Sequence, residues 1–126
     1  MTRLEAYLAA RRHRQFRIGR YDCALFACQW VRAATGRDLR REFGVGRYEG
    51  PRQGLEMLRA AGFETPVDLA RAALPEVAVL RARPGDLAVV DGALGIVGGP
   101  VVYLVRAVGW GTVPLTAAGT VFRVGD

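Results

Sequence analysis

The spacing of apolar residues changes once along this chain, at Pro84. Up to about residue 75 they recur at helical intervals, and from about residue 85 they fall in short β-rich runs. Residues 2–14 read as a helix with Leu4, Tyr7 and Leu8 turned inward and arginines outward. Asp22 is a good N-cap for a second helix over Cys23–Thr35, whose Cys23, Phe26, Ala27, Trp30, Val31 and Ala34 follow one helix face. Gly36 stands where a left-handed stop belongs. A Gly-rich loop, "EFGVGRYEGP", precedes a third helix over about Arg52–Ala61, and "PVDLARAAL" predicts one more short helix. Beyond Pro84 the runs "LAVV", "LGIV", "VVYLV", "GTVPL" and "TVFRV" are separated by Asp-Gly, Gly-Gly-Pro and Gly turns. Helices first and a strand meander second predict one α+β domain over residues 1–126. Its central helix should pack on a small antiparallel β-sheet or barrel.

Absent residue types narrow the chemistry. The chain has no Ser, Asn or Lys, all 18 of its basic residues are Arg, and His13 is its single histidine. A Ser–His–Asp hydrolase is excluded, as is a Schiff-base or P-loop lysine, and a Cys–His–Asn triad lacks its Asn. Cys23 and Cys28 are the two cysteines. Five residues apart on one helix, their Cα atoms would be roughly 8 Å apart, beyond disulfide reach, so free thiols are expected. With one His and no CxxC pair, no metal site is expected, and nothing calls for a cofactor. Cys28 reads as a small buried hydrophobe. No apolar run reaches membrane-spanning length, and "MTRLEAYLAARRHR" lacks the features of a secretory signal, so synthesis in a cytoplasm is expected, a bacterial one on the resemblance described below.

Charge supplies the other candidate surface. The formal net charge of +6 favours anionic partners. Arg11, Arg12, Arg14, Arg17 and Arg20 cluster within ten residues. They are either a solvated helix end or a docking surface for an acidic protein, a cell-wall polymer or nucleic acid. No aromatic-interleaved nucleic-acid module surrounds them, which makes nucleic acid the lesser expectation.

Asp22-Cys23 at a helix start, "RPGDLAVV" and then "ALGIVGG" occur in that order. This arrangement resembles the NlpC-type branch of papain-like cell-wall cysteine peptidases. A closer resemblance is to a phage and prophage tail-associated family of that clan, through Asp22–Asp38, Gly85–Val90, Leu94–Val97 and Pro114–Val124. It implies a papain-like fold with Cys23 at the nucleophile position and a base supplied by a His-x-Gly-Ile segment. Here that segment reads Ala93-Leu94-Gly95-Ile96, so Ala93 holds the base position. His13 lies ten residues before Cys23 in a basic stretch and reads as a solvated surface residue. Losing a general base removes factors of about 10² to 10⁴ in rate. The expectation is therefore a catalytically inactive structural or docking component of a phage or gene-transfer-agent tail tip, bound to hub or tape-measure proteins in the virion. Two alternatives remain on the same residues: a working peptidase or amidase using Cys23, and an Arg-rich nucleic-acid-binding module.

Overall fold

A computed structural model describes residues 1–125, so Asp126 at the end of the expected domain lies outside the described residues. The order is helices α1 (Arg3–Ala9), α2 (Cys23–Thr35), α3 (Leu39–Glu42), α4 (Pro51–Ala60) and α5 (Pro66–Ala73), then strands. These are β1 (Glu76–Val77), β2 (Leu87–Val90), β3 (Ala93–Val97), β4 (Val101–Val105), β5 (Trp110–Pro114) and β6 (Thr120–Phe122). Single 3₁₀ turns occupy Val79–Arg81 and Leu115–Ala117.

The central helix begins and ends where its caps dictate. The Asp22 carboxylate accepts the Leu25 N–H at 2.8 Å, and Gly36 closes the other end in the left-handed conformation. The first helix is shorter than expected. It stops at Ala9, not near residue 14, and the chain continues through turns closed by Arg11 N–H to Leu8 O and Arg14 N–H to Arg11 O. A competing set of bonds explains the stop. Phe16 N–H donates to Ala107 O at 2.9 Å and Gly109 N–H to Arg14 O at 2.7 Å, which ties residues 14–16 to the loop between β4 and β5. A helix continued through those residues would forfeit both bonds.

The strands form one six-stranded antiparallel sheet in the order β1-β6-β2-β3-β4-β5. It is an open sheet, since β1 and β5 stand at its two ends, and the barrel expectation is corrected to that extent. Asp91 and Gly92, both at positive φ, make the two-residue hairpin that pairs Val90 with Ala93. Side chains then alternate between two cores. Leu87, Leu94, Ile96 and Phe122 face α2 and the other helices, together with Phe26, Trp30 and Val31. Ala88, Val90, Val102, Leu104 and Val121 form a second cluster on the opposite face. Gly95 belongs where these strands press together: a Cβ there would lie 2.6 Å from both Leu104 Cδ2 and Tyr103 O. Helix α2 lies against β3, with Trp30 buried and its Nε1–H donating to Gly85 O at 2.7 Å.

Candidate functional site

Cys23 is the first residue of α2 and is half-buried against β3. The residue before it is fully engaged. Asp22 Oδ1 caps the helix through Leu25 N–H, while Oδ2 accepts Gly19 N–H at 2.9 Å and the Tyr48 hydroxyl at 2.6 Å. With all three donors in place Asp22 is buried, so it serves as a structural keystone for the helix start. Tyr48 comes from the Gly-rich loop, a contact that nothing in the local sequence around either residue signals.

Cys23 lines two cavities. One, of about 290 Å³, is shared with Val90, Ala93, Leu94, Leu104 and Arg106. Ala93 therefore does reach the neighbourhood of Cys23, and among the described residues no imidazole lines that cavity. His13 is exposed in the turn after α1 and lines neither cavity. Burial pushes the Cys23 thiol above its ordinary value and the Asp22 charge adds to that push. Backbone bonds from Leu94, Ala24 and Cys23 itself pull the other way without overcoming it. A helix N-terminus alone favours a lowered or ordinary thiol pKa; burial beside a carboxylate reverses that sign. Cys28 is buried one turn further on and its thiol is pushed up to about 12, chiefly by burial. Both cysteines are free.

The second cavity is a cleft of about 280 Å³ between the start of α2 and α4, with an almost wholly apolar wall. Cys28, Val45 and Leu69 line it from the buried side, and Phe16 and Leu55 are exposed at its lips. Arg40 lines both this cleft and an adjoining polar pocket.

The arginine cluster is not one surface. Arg11 turns back onto its own helix, with its guanidinium carbon 3.5 Å from the Tyr7 ring centroid. It donates to Tyr7 O at 3.1 Å and to Gln29 Oε1 at 3.3 Å. Arg11 is thus half-buried and braces α1 against α2. Arg12, Arg14, Arg17 and Arg20 are exposed. Arg20 stands apart by lining the polar pocket beside Arg40 and Arg47, two residues that sequence reasoning missed. Among the described residues no group of three or more His, Cys, Asp or Glu is placed to hold a metal ion, and no helix is long and apolar enough to cross a membrane.

Residues 1–124 match the family described as a domain of unknown function (DUF6950). The chain belongs to that family. The match covers both the helical part and the sheet, so Cys23, Ala93 and the apolar cleft all lie within the matched residues. No curated protein matches the chain significantly.

Proposed function

We propose that this chain is a non-hydrolytic protein of papain-like, NlpC-type architecture that serves as a structural docking part of a phage or gene-transfer-agent tail tip. One observation carries the loss of catalysis. Cys23 opens the central helix and shares a cavity with Ala93 on β3, where the resemblance places a histidine. A cysteine hydrolase needs a thiolate to attack the carbonyl and a base to take the thiol proton and return it to the leaving amine. Here the thiol is held protonated by burial and by Asp22, and Ala93 can neither accept nor return a proton. The setting in a tail is supported by the resemblance of the Asp-Cys, Gly-Asp and Leu-Gly-Ile segments in their order. The exposed Arg12, Arg14 and Arg17 offer forked donors to acidic partners such as hub or tape-measure proteins.

The purified protein should release no product from peptidoglycan fragments, and Cys23→Ala should assemble into tails like the parent. Replacing Arg12, Arg14 and Arg17 together by Gln should leave the isolated domain folded and prevent its incorporation. Turnover that disappears in Cys23→Ala would establish a peptidase instead. Normal assembly of the triple variant would remove the arginine docking surface.

A further inference from the structure

The cleft beside Cys23 and the polar pocket next to it share two wall residues, Arg40 and Tyr48, and their chemistry differs sharply. The cleft wall is almost wholly apolar. Its polar side chains are already engaged: Asp22 accepts three hydrogen bonds, and Glu64 is paired with Arg59. Thr65 caps α5 by accepting Asp68 N–H. The pocket, of about 220 Å³, is lined by Arg20, Arg40 and Arg47 against one carboxylate, Glu49. Among the described residues none of these three arginines forms an ion pair, Glu49 included, although six other arginines do. Arg40 is also half-buried at the junction of the two spaces, so one guanidinium borders both the apolar cleft and the arginine-lined pocket.

An occupant that carried peptide groups into the cleft would leave their donors and acceptors unpaired, which costs binding free energy. A hydrocarbon body incurs no such cost, and an anionic head would meet the arginines. We propose that the cleft and pocket together form a binding site for a small aliphatic carboxylate. Its chain lies in the cleft over Cys28 and Leu69, and its carboxylate lies on Arg40 with Arg20 and Arg47 around it. The two volumes together, about 280 and 220 Å³, fall in the usual range for small-ligand sites. The proposal does not depend on a docking role in tails, because no residue of the Arg12, Arg14 and Arg17 surface takes part in it.

Decanoate below its micelle-forming concentration is the probe, titrated into the full chain by calorimetry. Saturable one-to-one binding is expected, with 1-decanol weaker by about tenfold or more because it lacks the charge that the arginines recognise. Acetate, which has the head without the chain, should show no binding at the same concentrations. Arg40→Gln should weaken decanoate by about tenfold while leaving decanol unchanged and the thermal midpoint intact, since Arg40 holds no ion pair. Because Cys23 lies on the cleft wall, saturating decanoate should also slow its alkylation. Equal affinity for decanoate and decanol, or an unaltered Arg40→Gln variant, would each overturn the assignment. So would a failure to bind decanoate at all.

Discussion

Cys23 is the first residue of α2, where the helix N-terminus would by itself favour a thiolate. Its backbone neighbours at the helix start favour the thiolate, but burial and Asp22 outweigh them, so the thiol pKa is raised. The thiolate is the species that reacts with alkylating agents, and its fraction at neutral pH falls as the pKa rises. Iodoacetamide should therefore label Cys23 more slowly at pH 7.5 in the folded protein than in the unfolded chain. The rate should keep climbing with pH beyond the ordinary thiol range. A Cys28→Ala background isolates the signal, and rapid labelling at pH 6 would contradict it. Ala93→His is the constructive test. An imidazole in the cavity shared with Cys23 should stabilise the thiolate when protonated and move the labelling profile to lower pH.

At the scale of elements, what could be read early was whatever local chemistry controls. The limits of α2 follow from Asp22 and Gly36, and the β2–β3 hairpin follows from Asp91-Gly92; both were legible without tertiary information. The end of α1 was not, because the bonds that stop it come from residues 107 and 109, almost a hundred positions away. The same holds for the site. Cys23 and Ala93 were legible because each sits in a motif, whereas Tyr48 and Arg47 come from a loop with no periodicity to read and Arg40 from α3, a helix of four residues too short to show any. The sheet has two cores because its strands are continuously apolar, so that Leu87 and Ala88 alternate between helix face and opposite face. Trp30 is buried and joins α2 to the turn that leads into β2 through its bond to Gly85 O, and to α1 through its edge contact with Tyr7. Trp30→Ala should cost about 3–5 kcal/mol in urea unfolding through the cavity it leaves. A loss below about 1 kcal/mol would mean that the helix–sheet contact is not what holds the two halves together.

Over the whole molecule, closure and pH response have a common origin in buried hydroxyls and thiols. The Tyr7 hydroxyl donates to Phe26 O at 2.6 Å, joining α1 to α2, and the Tyr21 hydroxyl donates to Gly109 O at 2.6 Å, joining the helical part to the β4–β5 loop. Trp110 Nε1–H closes the circuit onto Leu8 O at 2.8 Å. Burial raises the pKa of Tyr7, Tyr21, Tyr48, Cys23 and Cys28, so the fold holds these protons more tightly than the unfolded chain does. Where the folded state retains protons that the unfolded state has lost, stability falls as pH rises. For Cys28 that contribution is intact below about pH 9, the ordinary thiol value, and is lost as pH climbs toward its folded value of about 12. The slope from one such group is on the order of 1 kcal/mol per pH unit within that window. Urea midpoints should therefore drop between pH 8 and pH 10.5. In Cys28→Ala the midpoint should start lower, because a buried sulfur has been removed, but should fall less over the same interval. The buried tyrosines supply the remaining drop at the upper end, where unfolded tyrosines begin to ionise. An identical fall in parent and Cys28→Ala would show that the Cys28 thiol titrates alike in the folded and unfolded chains, contrary to its place beneath the cleft.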